Sequence, residues 1–172
     1  MTAHGDKSQN GNGGNVKVRV ATLADIPLIL QFIKDLAEYE RLGHAVEATE
    51  ADIRRDLFGE NPRCFCDIAE SEGKPVGFAL WFYNYSTFRG RAGIYLEDLF
   101  VKPEARGVGA GKALLRGLAQ RCVDADLGRL EWSVLNWNAP AIEFYDSLNA
   151  AAMEDWTVRR LYGEALQNLA ES

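Results

Sequence analysis

Three glycines at alternate positions, Gly107, Gly109 and Gly111, lie between a strand-like run and an amphipathic helix. A glycine has no Cβ, so the neighbouring main-chain N–H groups can approach an anion closely. The helix that begins there adds N–H groups without intrahelical partners and the positive end of its dipole. The spacing therefore predicts a phosphate-binding loop, with a pyrophosphate as the expected ligand.

Two other glycine-rich phosphate loops differ from this segment at identifiable positions. A P-loop has glycine where Arg106 stands and Ser or Thr where Ala113 stands, so a Mg²⁺ ligand is missing here. A dinucleotide-binding loop reads G-x-G-x-x-G in the first βα turn, whereas this loop reads G-x-G-x-G and lies past mid-chain. Both alternatives are disfavoured.

Two adjacent carboxylates, Glu97 and Asp98, interrupt the otherwise apolar run just before this loop. Neighbouring residues of a regular strand face opposite sides, so one acid points into the buried layer unless a bulge turns it. A buried carboxylate without a partner is costly. The pair is therefore a candidate site, with a structural salt bridge as the alternative for Asp98.

Aromatic and acidic residues on two predicted helices are further candidates. Tyr39 and Glu40 end the first helix, where a glutamate is mildly unfavourable against the helix dipole and where a solvated helix end is the simplest interpretation. Tyr145 lies on a later helix, and its spacing with Ile142 and Leu148 is by itself typical of a core aromatic.

The cysteines and the histidine of the predicted domain indicate no metal. Cys64 and Cys66 occupy alternating strand positions without a second Cys or His cluster, so a zinc site is not expected. Cys122 follows the apolar stripe of its helix, and His44 lies in a loop where a surface histidine is the simplest interpretation.

The elements that position these residues follow from hydrophobic periodicity and capping residues. Residues 1–15 are polar and glycine-rich, which predicts a disordered tail, and one domain is expected over 16–172. The predicted order is β-α-α-β-β-β-α-β-α-β, and a short terminal helix follows. This order favours an α/β (α+β mixed) fold with a mixed, mostly antiparallel sheet and helices on both faces. The predicted segments are strands near 16–20, 64–70, 75–85, 92–101, 129–136 and 156–162, and helices near 26–40, 49–57, 105–126, 138–148 and 163–170.

Composition restricts the partners. The chain has 172 residues with 19 Lys plus Arg and 25 Asp plus Glu, a formal net charge of −6. This charge argues against nucleic-acid binding and suits a cationic or small neutral ligand. No apolar run is long enough to span a bilayer and the first residues lack a signal-peptide core, so a cytoplasmic location is expected. Three cysteines cannot all pair within the chain, which agrees with a reducing compartment.

The segment Arg106-Gly-Val-Gly-Ala-Gly111 resembles the coenzyme A signature of the GNAT N-acetyltransferases. The chain from Val18 to about Gly163 is similar to the spermidine/spermine and thialysine acetyltransferase branch. The matching blocks include Tyr95-Leu-Glu-Asp-Leu-Phe-Val101 and Trp137-Asn-Ala-Pro-Ala-Ile-Glu-Phe-Tyr145. The resemblance implies the GNAT fold, acetyl-CoA as co-substrate without a metal, and a homodimer in which the C-terminal strand takes part.

The resemblance also implies the coenzyme contacts. Main-chain groups of Leu99, Phe100 and Val101 pair with the pantetheine arm as an added strand does. The pyrophosphate lies on the loop Arg106, Gly107, Val108, Gly109, Ala110, Gly111 and Lys112. The coenzyme continues along Asn138, Ala139, Pro140 and Ala141.

The catalytic residues come from the same resemblance. Tyr145 matches the tyrosine that protonates the coenzyme A thiolate, and a phenol pKa near 10 suits that role. Glu97 takes the proton of the amine, through water, with Asp98 as the alternative. The substrate contacts implied are Tyr39, Glu40, Glu97, Asp98 and Glu154.

The predicted activity is acetyl transfer from acetyl-CoA to a primary amine of a polyamine or diamine, by direct attack in a ternary complex. The alternatives are a thialysine-like amino acid or other small amine as acceptor, and a non-catalytic acyl-CoA-binding module. Two departures from the family pattern bear on the coenzyme contacts and on the substrate. Asp146–Ala150 replaces basic residues that contact the coenzyme in the family, and the segment before Trp156 is shorter than in the polyamine enzymes.

Overall fold

The computed structural model describes residues 16–172, and the predicted tail at 1–15 lies outside them. The strands of this part of the chain are β1 (Val16–Val20), β2 (Phe65–Ser71), β3 (Lys74–Ser86), β4 (Arg91–Val101) and β5 (Leu130–Trp132). The α-helices are α1 (Ile26–Tyr39), α2 (Glu50–Phe58), α3 (Ala110–Asp124), α4 (Ala139–Asp146) and α5 (Gly163–Glu171).

Local side-chain hydrogen bonds place the starts of the first helices. A capping box joins Thr22 and Asp25 at the 3₁₀ turn that leads into α1, and a second joins Thr49 and Asp52 at the start of α2. In each box a side-chain oxygen accepts an N–H that the helix itself leaves without a partner. The predicted positions of both helices are confirmed.

One sheet with strand order β1-β2-β3-β4-β5 organises the larger part of the fold. β1 to β4 pair antiparallel, and β5 pairs parallel to β4. The β2–β3 turn is the dipeptide Glu72-Gly73, both with positive φ, which is the backbone that a tight hairpin requires. The predicted mixed, mostly antiparallel sheet is confirmed.

Helices cover both faces of this sheet, as predicted. On one face α1 packs on the core, where the Phe32 ring lies 5.5 Å from the Phe78 ring and 6.0 Å from the Phe100 ring between centroids. On the other face α3 is joined to the sheet by Asp67, which accepts hydrogen bonds from Trp81 Nε1 at 3.1 Å and from Arg121 at 2.8 Å. The strands that carry the candidate site are therefore held from both sides.

The described residues form two compact units, one ending at Ser133 and the other spanning Val134–Ser172. The first contains the sheet with α1, α2 and α3, and the second contains α4 and α5. No helix among residues 16–172 combines the length and the apolar character that crossing a membrane requires.

Two predicted strands differ in the structure. The prediction of a strand at 156–162 is wrong, because these residues are irregular and pair with no strand of the described chain. β5 spans Leu130–Trp132 and is shorter than the predicted 129–136. Alternating apolar residues indicate a strand, but a strand forms only where a neighbouring edge completes its hydrogen bonds.

Candidate active site

A β-bulge in β4 places the two adjacent acids. Leu80 of β3 pairs with Asp98, whereas the next residue, Trp81, pairs with Leu96, so Glu97 is the extra residue without a partner on β3. The bulge turns Glu97 out to solvent, where it is exposed, and leaves Asp98 half-buried in line with Leu80. A bulge at these two acids is one of the outcomes that the sequence analysis allows for.

Three carboxylates interact electrostatically at this bulge. Burial raises the pKa of the Asp98 carboxyl to about 7, and the negative charges of Glu97 and Glu40 contribute to the rise. Burial likewise raises the pKa of Glu40 at the end of α1. The structure therefore brings Glu40, Glu97 and Asp98 into one acidic group, and Asp98 titrates near neutrality within it.

The bulge also ends the pairing between β4 and β5. The parallel ladder joins Ile94 to Leu130 and Leu96 to Trp132, and β4 continues alone on that side from Glu97 to Val101. On its other side this part of β4 pairs with β3 through Gly77, Phe78 and Ala79. Within the described strands, the main chain of Leu99–Val101 is thus a free sheet edge, which an extended ligand with amide groups can extend.

A run of six successive main-chain N–H groups follows β4. Residues 107–112 donate no main-chain hydrogen bond to any described residue, and the first such bond beyond them runs from Ala113 to Gly109 at 2.9 Å. Successive N–H groups without main-chain partners at the start of a fifteen-residue helix are the kind of donor set that binds anions. The predicted loop residues therefore match a diphosphate by their backbone alone.

Positive φ angles explain two of the glycines in this loop. Gly107 has φ 85° and Gly109, the N-cap of α3, has φ 89°. A Cβ at either position would meet nothing within 4 Å, so the backbone conformation and the open space beside it account for glycine, and internal crowding does not. Gly111 lies in the first turn of α3, and Ala110 anchors that turn by being buried.

Arg106 connects this loop to the end of α1. Its guanidinium carbon lies 4.7 Å from the centroid of the Tyr39 ring, a cation–π distance, and its Nε donates to the Val101 carbonyl at 3.3 Å. One side chain of the predicted coenzyme loop thus contacts a predicted substrate residue and the free edge of β4.

A groove of about 560 Å³ lies beside this contact. It is lined by Asp35, Glu38, Tyr39, Phe100, Lys102, Pro103 and Glu104. The sequence analysis missed the two α1 acids, although the spacing of Asp35, Glu38 and Tyr39 at i, i+3 and i+4 marks one helix stripe that ends at a predicted substrate residue.

The second unit carries the remaining catalytic and coenzyme candidates. Asn138 occupies the N-cap position of α4 and is 8% exposed, and its carbonyl accepts from the N–H groups of Ala141 and Ile142. Ala139, Pro140 and Ala141 form the first helical turn. Tyr145 is half-buried near the end of α4, with its ring 5.4 Å from that of Phe144.

The weaker candidates lie in less defined places. Glu154 is exposed in an irregular segment, and His44 is exposed in a short 3₁₀ turn. Cys64 and Cys66 are free, and burial raises the pKa of both thiols. In residues 16–172 no set of three or more His, Cys, Asp or Glu side chains is arranged to hold a metal ion.

The mixed sheet, its bulge at Glu97 and the amide run before α3 define the architecture of an acyltransferase. The chain belongs to the acetyltransferase (GNAT) family, whose model matches residues 29–150. The predictions of the fold, of the enzyme class and of the family are therefore confirmed.

Individual relatives agree with this assignment. Thialysine N-epsilon-acetyltransferase of Bos taurus is 40% identical over 166 residues, which cover 90% of this chain and 97% of that protein. Spermidine/spermine N(1)-acetyltransferase-like protein 1 of Homo sapiens is 35% identical over 164 residues, covering 90% of this chain and 24% of that protein. Among solved structures, an integron cassette protein of V. cholerae matches with TM-score 0.77 and 26% identity, covering 93% of this chain and all of that one.

Proposed function

We propose that this protein transfers the acetyl group of acetyl-CoA to a primary amine of a diamine or polyamine. The observation that carries the proposal is the run of six unpaired N–H groups at 107–112 beside the free edge of β4. Coenzyme A has a diphosphate and an extended pantetheine arm with two amides. The pantetheine arm matches the sheet edge, and the diphosphate matches the loop that follows this edge along the chain.

The coenzyme contacts follow from the two features. The amides of Gly107 to Lys112 bind the diphosphate oxygens, and Arg106 and Lys112 add positive charge. The main chain of Leu99–Val101 pairs with the pantetheine amides as an added strand. Asn138, Ala139, Pro140 and Ala141 complete the coenzyme site in this proposal.

The amine site consists of carboxylates. Glu40, Glu97 and Asp98 form an acidic group, and Tyr39 precedes Glu40 at the end of α1. A diamine has two positive ends and no negative group, so it gains from all three carboxylates. An amino acid adds a carboxylate that these residues repel. The charge of the site therefore favours a diamine or polyamine, and Glu154 is proposed as a further contact.

The reaction then proceeds by direct attack in a ternary complex. Glu97, through water, or Asp98 itself accepts a proton from the substrate ammonium. The neutral amine attacks the thioester carbonyl, forming the C–N bond and breaking the C–S bond. Tyr145 gives its phenolic proton to the departing thiolate, and the proton that the attacking nitrogen then releases restores the phenol, so the products are the amide and free coenzyme A. The pKa of about 7 for Asp98 suits a proton acceptor at neutral pH.

A second acceptor, a small amino acid with a side-chain amine, is favoured by a separate observation. The relatives with 40% identity are named for thialysine, and an L-ornithine N5-acetyltransferase of Arabidopsis thaliana is 30% identical over 207 residues. Thialysine and ornithine each combine a terminal amine with an α-amino acid end. In this alternative the α-ammonium group takes the place of the second amine of a diamine.

Thiol-release kinetics with spermidine, a short diamine and thialysine decides between these substrates. With acetyl-CoA saturating, we expect the highest kcat/KM for a diamine or polyamine. Turnover confined to thialysine would establish the amino-acid alternative. Coenzyme A binding without thiol release for any amine would instead establish a non-catalytic acyl-CoA-binding module.

We also propose that the protein is a homodimer. Residues 156–162 pair with no strand of the described chain and carry Trp156, Val158 and Tyr162, which are 70%, 74% and 76% exposed. In this proposal a second copy covers these side chains. Light scattering after size exclusion tests this, and a monomer at micromolar concentration would contradict it.

A cytoplasmic location is part of the same proposal. Cys64, Cys66 and Cys122 are all free thiols, which persist in a reducing compartment. Coenzyme A is also an intracellular metabolite. Fractionation of the source cells is the direct measurement.

A further inference from the structure

We propose that Arg106 is a positioning residue for the amine site, which couples the affinity for the amine to occupancy of the coenzyme site. The inference rests on the proposed function, because it needs both ligands. The geometry that carries it is the stack of the Arg106 guanidinium on the Tyr39 ring at 4.7 Å. Tyr39 is adjacent to Glu40, whose carboxylate belongs to the acidic group at the β4 bulge.

Different parts of the Arg106 guanidinium are available for different contacts. Its carbon lies over the Tyr39 ring at 4.7 Å from the centroid, and its Nε donates to the Val101 carbonyl at 3.3 Å. The two terminal NH₂ groups donate to no residue in the described part of the chain, and they carry four of the five N–H donors of the group. A planar, always charged group of this shape can bind a phosphate by that outer edge while its face stays on the ring.

The contact joins three elements that each bear on the reaction. Tyr39 is the last residue of α1, Val101 is the last residue of β4, and Arg106 immediately precedes the amide run at 107–112. No salt bridge joins Arg106 to a carboxylate among the described residues, so in this proposal its influence on the amine site passes through the Tyr39 ring.

The sign of the coupling follows from this arrangement. Among the described residues, the long Nε contact and the Tyr39 ring are the contacts that hold the guanidinium without coenzyme. A bound diphosphate adds hydrogen bonds at its outer edge and holds it in place. The motion of the ring beneath it is then restricted further, so less conformational freedom is lost when the amine binds. Coenzyme A is therefore expected to tighten amine binding, by a factor in the usual range of about 5–150 for coupled sites.

Two substitutions at Tyr39 separate the ring from the hydroxyl group. Tyr39→Phe keeps the surface on which the guanidinium lies, and Tyr39→Leu removes it. Calorimetry measures the Kd of a diamine, or of the best acceptor in the kinetic panel, with and without saturating coenzyme A. We expect coupling of at least about 5-fold in the wild type and in Tyr39→Phe, and less than about 2-fold in Tyr39→Leu. The Kd for coenzyme A alone should stay within about 3-fold in both variants, because neither touches the amide run.

Arg106→Lys changes the other residue of the Arg106–Tyr39 contact and so tests the coupling independently. Lysine keeps the positive charge near the diphosphate but has neither the flat face nor the Nε donor, so the coupling should fall while coenzyme A still binds. If Tyr39→Leu is poorly folded by its thermal melt, Tyr39→Met and Arg106→Lys carry the same test.

The possible outcomes are distinct. Wild-type coupling below 2-fold, coupling retained in Tyr39→Leu, or coupling lost in Tyr39→Phe would each overturn the inference. A wild-type protein that binds no coenzyme A would overturn the proposed function itself. Acetylation that proceeds normally with coupling unchanged in Tyr39→Leu would overturn only the role given to Arg106.

Discussion

Asp98 pairs with Leu80 across the β3–β4 ladder, so a carboxylate lies in register with a leucine that packs against the main core. The neighbouring Glu97 has no such partner and is exposed. One extra residue in β4 thus gives two adjacent acids different environments, and burial raises the pKa of Asp98 to about 7. Separate environments allow adjacent carboxylates to perform separate tasks.

Replacing Asp98 by Asn should change stability only where the carboxylate is ionised. The carboxyl loses its proton near pH 3.8 when unfolded and near 7 when folded, so its contribution is greatest below about pH 4 and is lost as the pH rises to 7. Asp98→Asn should therefore raise the free energy of unfolding at pH 8 by about 1–3 kcal/mol, a figure reduced for partial solvent access, and leave it unchanged at pH 3.5. Urea unfolding at both pH values measures this, with the exposed Asp155→Asn as control. Equal effects at the two pH values would disprove the assigned environment.

Replacing Glu97 by Gln should reduce turnover most at low pH. If Glu97 takes the proton of the substrate ammonium through water, its loss matters most where free amine is scarce. We expect kcat/KM to fall about 10²-fold at pH 7 and much less at pH 9. A pH–rate profile checks this. A uniform loss across pH would assign the base role to Asp98. In that case the pH–rate profile of Asp98→Asn should show the larger loss of kcat/KM at low pH.

Replacing Tyr145 by Phe removes the proposed acid and keeps the ring. We expect kcat to fall roughly 10²–10⁴-fold, with the affinity for coenzyme A little changed. Tyr162→Phe removes a hydroxyl group from an exposed tyrosine of the same unit and should leave kcat within about 2-fold. Stopped-flow thiol release and calorimetry provide the two measurements. An unaltered kcat in Tyr145→Phe refutes the assignment.

Replacing Gly109 by Ala should cost both stability and coenzyme binding. Its φ of 89° strains any residue with a Cβ, and that Cβ would enter the space beside the free amides. Gly73→Ala is the matched control, because Gly73 has φ 74° and equally open surroundings but lies in the β2–β3 turn. Each should lose about 1 kcal/mol of stability, while only Gly109→Ala weakens coenzyme A binding, by about 10-fold or more. Equal affinities in the two variants would place the diphosphate elsewhere.

Replacing Asp67 by Ala should destabilise the sheet–α3 contact. The change leaves Trp81 Nε1 without its acceptor and the Arg121 guanidinium without its anion. We expect a loss of about 2–4 kcal/mol in free energy of unfolding. Asp126→Ala breaks an ion pair with Arg91 in which Asp126 is 82% exposed, and it should cost less than about 0.5 kcal/mol. Similar losses in both variants would contradict the buried role of Asp67.

Local signals in the chain were enough for most elements of the fold. Thr22 and Thr49 form their capping boxes with residues three positions later, and Glu72-Gly73 closes its hairpin within four residues. These features depend on residues that are close in sequence, so they can be predicted from the sequence directly. The strand predicted at 156–162 was wrong because pairing depends on a partner edge, which local alternation does not reveal.

Some residues of the candidate site could likewise be predicted from the sequence, and others could not. The glycines at 107 and 109 predict a phosphate loop by their types and spacing, whereas the acid–base role of the acids at 97 and 98 was predicted from the family resemblance. Sequence spacing did not identify Asp35 and Glu38 as groove residues, since their neighbours Lys102 and Glu104 are distant in the chain.

The amino-acid sequence by itself determined the family, the glycine spacing that predicts a phosphate loop, and the adjacent acids at 97 and 98. Only the tertiary structure decided that Glu97 is the bulged residue and that the guanidinium of Arg106 lies on the ring of Tyr39. The physical reason is that a bulge is defined by the register of two strands, and a stack by the meeting of a helix end with a loop. Both require residues that are brought together by packing of the core around Phe32, Phe78 and Phe100.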